Sequence, residues 1–357
     1  MVHDIAACMA LAFVLAGQSK PGVDENLSPA RAALDKHDRA TALACCNTAI
    51  QSDPKNTGAY LLRGVIFMSS REMDKAIEDF SAVIHLNSLD PEPLVYRASA
   101  FVFTGDIDKA LADCDQAIRV NPWYVPAYQG RMAVHQERGE LDKALDDCNG
   151  AIRLDPGDAP SYANRASVRM VKGDLDMAVK DINVAIRLDP ASAGFYHLKG
   201  RIYFNKKNLD QAIEHCTEAI RLDQSGAIYW CDRADYRLAK GDYQRAAEDC
   251  AEAIRLEPSS SWRPYAALAE IRATAPMADL REGGQAVILA KTACNLTGWK
   301  EPGALSALAA AFAEKGEFAE AVKWQKEALK ARTSPAADGP QRLSLYEQGK
   351  PFRRQAR

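Results

Sequence analysis

The chain has 357 residues, a formal net charge of −3 and a pI near 6.1. This slightly acidic balance argues against a general electrostatic attraction to nucleic acid or to an anionic membrane, so we expect protein or peptide partners and no nucleic acid. Nine cysteines are an odd number, and five of them occupy one position of an internal repeat, which argues against the paired disulfide framework of small secreted domains.

The first predicted element is an uncharged apolar run from Ile5 to Gly17. It is too short to cross a bilayer as a helix, so no transmembrane span is expected, but it suits the apolar region of a signal peptide. The preceding MVHD lacks the Lys or Arg with which signal peptides normally begin. We interpret residues 1–22 either as the signal peptide of a periplasmic or envelope protein, which we favour, or as a helix packed on the first repeat of a cytoplasmic protein.

A 34-residue period then runs from residue 23 to residue 258. In each repeat an apolar stripe at helical spacing precedes a turn and a second stripe follows it, which predicts a hairpin of two helices. Glycine at the turn suits the left-handed position that ends a helix, and the acidic residue after it is expected to accept free N–H groups of the next helix. The repeats end at Pro54, Ser88, Pro122, Pro156, Pro190, Gln224 and Pro258, and the turn glycines are Gly105, Gly139, Gly173 and Gly241.

One position of the second helix carries Cys, Phe or Ile in different repeats. A metal or redox site would not accept all three, so we predict that these side chains pack in the core. Adjacent helices lie roughly 8–10 Å apart, too far for disulfides between equivalent cysteines, and none is expected between Cys216 and Cys231 on facing helices. The position is occupied by Cys46, Phe80, Cys114, Cys148, Ile182, Cys216 and Cys250.

The repeat resembles the tetratricopeptide repeat family in its 34-residue length, an aromatic residue at the fourth place, Gly or Ala at the eighth, and a closing Pro. The resemblance covers residues 23–258 as seven repeats, of which the first is degenerate because it lacks the aromatic residue. It implies an all-α fold, a right-handed α-solenoid of stacked hairpins. The aromatic residues are Tyr60, Tyr128, Tyr162, Tyr196 and Trp230, and the small ones are Gly64, Ala98, Ala166, Gly200 and Ala234.

Residues 259–331 resemble the C-terminal module of bacterial, planctomycete-type tetratricopeptide proteins. They predict an elongated hairpin, with extra residues around Ala275 to Gly284, and then a regular one, which makes about nine hairpins in the chain. Residues 332–357 are expected to form a capping helix and a basic tail. We expect Arg353, Arg354 and Arg357 to be solvated rather than to form a binding patch.

The sequence contains no recognisable catalytic, cofactor-binding or metal-binding pattern. Its histidines lack metal-ligand spacing, it has no glycine-rich phosphate loop and no nucleophile elbow, and its carboxylates lie on repeated surface positions. We therefore expect no enzyme activity, no cofactor and no metal.

A charge pattern accompanies the repeat. The seventh place is Arg and the twenty-third is Asp, except in one repeat, where Lys199 and His215 replace them. The two places are equally far from the hairpin turn, and the Asp is also level with the Arg of the following repeat. We predict a structural charge ladder that sets the register of the hairpins rather than reading a ligand. Its pairs are Arg63 and Asp79, Arg97 and Asp113, Arg131 and Asp147, Arg165 and Asp181, and Arg233 and Asp249.

The resemblance implies that first helices line a concave groove. Groove places are apolar in the second and third repeats and mixed or polar later, as at Gln129, Asn164, Arg201 and Asp232, and the residue set that grips C-terminal carboxylates is missing. An exposed apolar patch marks a partner or a covering segment, here either the chain's own run from Ile5 to Leu15 or an apolar segment of another protein. The candidate groove residues are Leu61, Leu62, Val65, Met68, Val95, Tyr96, Val102 and Phe103.

The leading hypothesis is a non-catalytic scaffold for protein–protein interaction that binds a protein segment in this groove. One alternative is a helical-repeat RNA-binding protein that reads one base per repeat. The acidic pI and the lack of paired base-reading positions weigh against it. A second alternative, the regulatory subunit of an enzyme complex, stays open because the sequence does not name a partner.

Overall fold

The computed structural model describes residues 27–36, 38–331 and 338–354, and the apolar run from Ile5 to Gly17 lies outside them. The described residues form nineteen α-helices and a short 3₁₀ helix, Ala278–Leu280, with no strand among them. The predicted all-α class is confirmed, and the helices pair as nine hairpins followed by one last helix. The helices are α1 Ser28–Asp35, α2 Arg39–Ser52, α3 Thr57–Ser69, α4 Met73–Leu86, α5 Glu92–Thr104, α6 Ile107–Val120, α7 Val125–Glu137, α8 Leu141–Leu154, α9 Ala159–Lys172, α10 Leu175–Leu188, α11 Ala193–Asn205, α12 Leu209–Leu222, α13 Ala227–Lys240, α14 Tyr243–Leu256, α15 Arg263–Thr274, α16 Gly283–Leu296, α17 Pro302–Glu314, α18 Phe318–Lys330 and α19 Gly339–Glu347.

The helices belong to two compact units, unit 1 up to Leu188 and unit 2 from Asp189 onward. Unit 1 contains the hairpins of α1–α10, and unit 2 contains those of α11–α18 and the last helix, α19. Within each unit, a second helix packs against its own first helix and against the first helix of the next hairpin. First helices of successive hairpins also contact one another, as α5 and α7 do in unit 1 and α15 and α17 do in unit 2. We call the surface made by the first helices of a unit its first-helix face.

The hairpin turns adopt the predicted left-handed glycine conformation. An L-residue with a side chain is strained there, whereas glycine has no Cβ to clash. This conformation lets the chain leave the first helix and start the second within a few residues. The φ angles are 87° at Gly105, 72° at Gly139, 94° at Gly173 and 88° at Gly241.

The expectation for the acidic residues after these glycines is wrong in two hairpins. Asp106 and Glu140 cap no backbone N–H group. The carboxylate of Asp106 instead pairs with Lys109 Nζ at 2.8 Å, and that of Glu140 lies 2.7 Å from His135 Nδ1. Asp242 does cap its helix, accepting from the backbone N–H three residues later at 3.3 Å. A cationic or imidazole neighbour competes with the helix end for the carboxylate, since charge-assisted bonds are the stronger ones.

The repeated cysteine position lies in the core of both units. Its cysteines are buried and free, and Cys216 and Cys231 are not bonded to each other. Burial raises the pKa of the Cys46 thiol to about 11 and that of the Cys148 thiol to about 12. These thiols are therefore neutral packing groups and not nucleophiles, because a reactive cysteine needs a lowered pKa.

In the hairpin of α3 and α4, the eighth place of the first helix is Gly64, which faces the core residue Phe80. A Cβ atom added at Gly64 would lie 2.6 Å from Cε1 of Phe80. The next hairpin instead places Ala98 at the eighth place and Cys114 at the core position, both buried. In these two hairpins, the larger core side chain, Phe80, is thus matched by the smaller residue at the eighth place.

We expect Gly64→Ala to destabilise the protein by about 1–3 kcal/mol, because the methyl group overpacks the Phe80 ring. In a Phe80→Cys background the same change should cost nothing or stabilise slightly, since alanine is the better helix former. Urea melts of the four proteins measure the coupling. Gly284→Ala, where no atom lies within 4 Å of the new Cβ, is the control that should be harmless. Equal costs of Gly64→Ala in both backgrounds would contradict the packing argument.

Candidate protein-binding surface

The charge ladder is a set of bidentate ion pairs inside the hairpins. Each arginine donates from Nε and Nη2 to the carboxylate of the aspartate sixteen residues later, with Nη2–Oδ1 distances of 2.7–2.8 Å. The aspartate side chains are only 2–7% exposed. Such buried carboxylates require a partner, because an uncompensated buried charge is strongly destabilising. The pairs are Arg63 with Asp79, Arg97 with Asp113, Arg131 with Asp147, Arg165 with Asp181, and Arg233 with Asp249.

The same arginines also reach back to the preceding hairpin. Their Nη1 atoms donate, at 2.6–3.0 Å, to a side-chain oxygen sixteen residues earlier in the chain. The sequence predicted that the twenty-third place, which carries the ladder aspartates, would be level with these arginines, but the acceptor stands at the twenty-fifth place. Two residues are about 200° apart around a helix, so the aspartate faces its own first helix and the acceptor faces the next hairpin. The acceptors are Asn47, Ser81, Asp115, Asn149 and Thr217.

A second basic group joins the ladder one helical turn after the arginine, which the sequence reasoning missed. Arg169 Nη1 lies 2.6 Å from Asp181, and Arg237 Nη1 lies 2.7 Å from Asp249. The signal was present as a basic residue four places after the ladder arginine, on the same helix face.

The ladder is interrupted in the hairpin of α11 and α12. There His215 is buried, and its Nε2 atom has no hydrogen-bond partner in the part of the chain that the structure describes. Its ring packs on Tyr203 at a centroid distance of 5.3 Å. Burial, assisted by the like charge of Lys199, lowers the pKa of His215 to about 4, and burial also lowers the pKa of Lys199. The imidazole is therefore neutral near pH 7 and replaces an ion pair with an aromatic contact.

Part of the predicted groove is core instead of surface. Met68, Val95 and Tyr96 are only 4–7% exposed, so the expectation that they line an open surface is wrong. Met68 and Tyr96 belong to one apolar cluster, in which the Tyr96 ring stacks on Phe80 at 5.5 Å. Side chains at these places point toward the neighbouring hairpin, which the polarity of the sequence alone does not reveal.

The remaining groove candidates leave a smaller apolar surface on the first-helix face of unit 1. Phe103, near the end of α5, is 46% exposed, and the guanidinium of Arg71 lies 5.9 Å from its ring centroid. The half-buried members are Leu61, Leu62, Val65 and Val102. We call these five apolar residues, Phe103 included, the apolar patch.

One polar side chain at a groove place of unit 1, Gln129, already has hydrogen-bond partners within the protein. Gln129 is buried, and its Nε2 atom donates to Asp158 Oδ2 at 2.7 Å and to Ser161 Oγ at 3.0 Å. An amide held by two acceptors of the next hairpin positions helices and is not free to bind a ligand.

The first-helix face of unit 2 is charged and internally neutralised. Asp232 lies 2.8 Å from His197 Nε2 and 2.9 Å from Arg263 Nη2, and Arg263 also pairs with Asp235. Burial opposes ionisation of Asp232, but His197 and Arg263 outweigh it and hold its pKa at about 2. The carboxylates that the sequence placed in this groove are thus already paired.

The expected solvation of the basic tail is wrong for the described arginines. Arg353 Nη2 lies 2.5 Å from Glu314, and Arg354 Nη2 lies 3.3 Å from Glu270. Arg357 lies outside the described residues.

The described residues contain no group of three or more histidine, cysteine or acidic side chains arranged to hold a metal ion. Among the same residues, no helix is both long enough and apolar enough to cross a membrane.

Comparison with protein families gives a consistent result along the chain. Models described as tetratricopeptide repeat match residues 29–91, 97–159, 193–225, 227–260 and 303–334, which together exceed half of the chain. No curated protein matches it.

Solved structures with the same architecture share little sequence. A tetratricopeptide repeat protein from Parabacteroides merdae is 19% identical, with a TM-score of 0.54 over 65% of this chain and 92% of that one. Yeast Tom70 is 15% identical, with a TM-score of 0.52 over 90% of this chain and 87% of its own. The APC/C hetero-tetramer Cut9–Hcn1 is 18% identical, with a TM-score of 0.59 over 84% of this chain and 58% of that one. At these identities the likeness shows the fold alone.

For the ladder, we expect Arg131→Ala and Asp147→Ala each to destabilise by about 2–4 kcal/mol. The first change leaves the buried Asp147 carboxylate without its arginine, and the second removes the bidentate charge-assisted contact of Arg131. The double variant should cost less than the sum of the two single changes. Urea melts measure the coupling. The exposed pair Glu72 and Lys75, treated in the same way, should show about 0–0.5 kcal/mol. Strict additivity at Arg131 and Asp147 would mean that the pair does not contribute.

We expect the contribution of His215, which replaces a ladder aspartate, to the free energy of unfolding to decrease in acid. Its pKa is about 4 in the folded protein, below the ordinary value of 6.5, so the unfolded chain binds the proton more readily. The stability that the neutral ring contributes is complete above about pH 6.5 and is lost as the pH falls toward 4. The unfolding free energy of the native protein minus that of His215→Gln should therefore drop by about 2–3 kcal/mol between pH 7.5 and pH 4. The exposed His85→Gln is the control, and a flat His215 difference would contradict the assignment.

Proposed function

This chain belongs to the tetratricopeptide repeat family, and from that premise we propose that it is a non-catalytic scaffold that binds a protein segment on the first-helix face of unit 1. Proteins of this family generally mediate interactions between proteins. The observation that carries the proposal is the apolar patch, whose most exposed side chain, Phe103, is nearly half exposed. An exposed aromatic residue beside half-buried aliphatic ones is typical of a site that a partner covers.

The distribution of charge supports a protein partner. The ladder arginines each hold an aspartate and a second acceptor, so they are not available to phosphate groups of RNA. Nucleic-acid binding depends mainly on free cationic groups that displace counterions, and the chain carries a net charge of −3. The first-helix face of unit 1 instead presents the apolar patch, which a protein segment could cover.

The apolar patch fits an amphipathic helix or an extended apolar segment. Such ligands place a few side chains into an apolar groove and gain affinity from one or two buried anchors. The exposed Arg71, next to the Phe103 ring, would pair with an acidic group at the edge of that segment. The proposed ligand is therefore apolar on one side, with a carboxylate at its rim.

We expect Phe103→Glu to weaken binding of this partner while the helical circular dichroism and melting temperature stay nearly unchanged, because the side chain is half exposed. Affinity capture from the native cell with mass spectrometry identifies proteins retained by the wild type, and purified proteins then give dissociation constants. Loss of at least about tenfold in affinity is expected for burial of a charge against an apolar ligand.

The matched control is Leu89→Glu, a loop residue of unit 1 that is 80% exposed and lies outside the apolar patch. It should bind like the wild type. A partner that binds Phe103→Glu with unchanged affinity would place the interaction on another surface. Retention of mixed RNA on filters by the wild-type protein would favour the RNA-binding alternative instead.

A further inference from the structure

The end of the described chain lies on the first-helix face of unit 2. The backbone N–H of Arg354 donates to the carbonyl oxygen of Thr274 at 2.9 Å, and Arg353 Nη1 donates to that of Ala273 at 3.3 Å. Both carbonyls belong to the last turn of α15, where helical C=O groups lack partners within the helix. A cationic side chain is favoured there by the helix dipole as well.

Two carboxylates of the first helices receive the tail arginines. Glu314, the last residue of α17, binds Arg353, and Glu270 of α15 binds Arg354. Each carboxylate also has an arginine from elsewhere in unit 2, since Arg281 Nε lies 3.1 Å from Glu314 and Arg342 Nη2 lies 2.6 Å from Glu270. Glu270 and Glu314 thus each have one arginine partner in the tail and one outside it.

An aromatic residue fixes the tail ahead of its two arginines. Phe352 packs on the apolar core of the last hairpins, and the guanidinium of Arg342 lies 4.4 Å from its ring centroid. The segment Phe352–Arg354 therefore uses an aromatic anchor, a main-chain hydrogen bond and two charged side chains. We call these three residues the tail segment.

The tail segment occupies places that the family resemblance assigns to the ligand groove. When Tyr265 is taken as the aromatic fourth place of its hairpin, Glu270 is the ninth place and Thr274 is the thirteenth. Counted from the start of α17, Glu314 is also a thirteenth place. The main-chain and charged contacts of the tail are therefore made at groove places of α15 and α17.

The tail segment is positioned so that it can leave. Its arginine side chains remain 34–35% exposed. After departure, Glu270 and Glu314 keep Arg342 and Arg281, so no buried carboxylate is left uncompensated and the usual penalty for breaking a buried ion pair does not apply. Since the tail is tethered, a high effective concentration keeps it docked even when its intrinsic affinity is low.

We propose that the first-helix face of α15 and α17 recognises an extended segment in which an aromatic residue precedes two arginines, and that the chain's own tail segment is its resident ligand. A partner carrying such a segment binds this face only by displacing the tail. This site is separate from the apolar patch of unit 1 and does not depend on the function proposed for it.

The test compares the full-length protein with an Arg353→Ala/Arg354→Ala variant, using a fluorescein-labelled peptide GKPFRR, the sequence of residues 349–354. Fluorescence anisotropy should show that the variant binds the peptide at least about tenfold more tightly than the wild type, because its own tail no longer competes. A peptide of the same composition in scrambled order, RGKRPF, should bind both proteins weakly.

A second variant tests whether tighter peptide binding results from loss of the competing tail or only from the change in net charge. Arg221→Ala/Arg255→Ala removes two exposed arginines of unit 2 and changes the net charge by the same amount, but leaves the tail intact. It should bind GKPFRR as weakly as the wild type. Equal affinities of wild type and tail variant, or equal affinities for the two peptides, would overturn the proposal.

A measurement on the unmodified protein covers the case in which the tail variant does not fold. The Arg354 amide donates to Thr274, so it should exchange slowly with solvent, and excess GKPFRR should accelerate its hydrogen exchange by displacing the tail. Exchange that is unchanged by saturating peptide would overturn the proposal. A concentration-dependent dimer in sedimentation, with the tail exchanged between copies, would overturn the assignment of the occupant to the same chain.

Discussion

The bidentate contact between an arginine of the first helix and an aspartate of the second is the interaction on which the arrangement of hairpins depends. Helices of 13 or 14 residues, such as α7 and α8, are marginal when isolated in water. Apolar packing brings them together without fixing their register. The planar guanidinium adds that constraint, because Nε and Nη2 fit one carboxylate in one orientation while Nη1 extends to the preceding hairpin. If the second helix slid along the first, a buried carboxylate would lose its partner, and if the preceding hairpin slid, Nη1 would lose its acceptor.

The hairpins and their ion pairs could largely be predicted from the sequence, because equivalent positions can be compared between repeats of the same chain. The 34-residue period indicates hairpins, and the equal distance of Arg131 and Asp147 from their turn indicates that they are level. The direction of a side chain around its helix is harder to infer. Asp115, and not Asp113, takes the Nη1 contact of Arg131, and Tyr96 stacks on Phe80 instead of lining a surface. These differences depend on rotations of about 100° per residue, which a count of spacing does not resolve without a neighbouring helix.

The tail shows a different limit of sequence reasoning. Arg342 and Glu270 are separated by 72 residues, and Arg354 and Glu270 by 84, so no local pattern links them. A terminal pair of arginines is typical of a solvated end, and that interpretation was wrong here because α15 and α17 place two acidic side chains and an unpartnered helix end within its reach. Only the packing of separate hairpins creates such a site.

The two first-helix faces offer different sources of binding energy. A partner that covered the apolar patch of unit 1, as proposed, would gain roughly 25 cal/mol for each Å² of apolar surface removed from water, so that face would supply affinity. On the face of unit 2, every acidic group discussed already has a basic partner, and adding another charge there gains little. Replacing one arginine by another, however, conserves each ion pair, so the exchange has almost no desolvation cost. Under the proposed displacement of the tail, such a face would distinguish ligands by whether they reproduce the spacing of Phe352, Arg353 and Arg354, and it would contribute specificity.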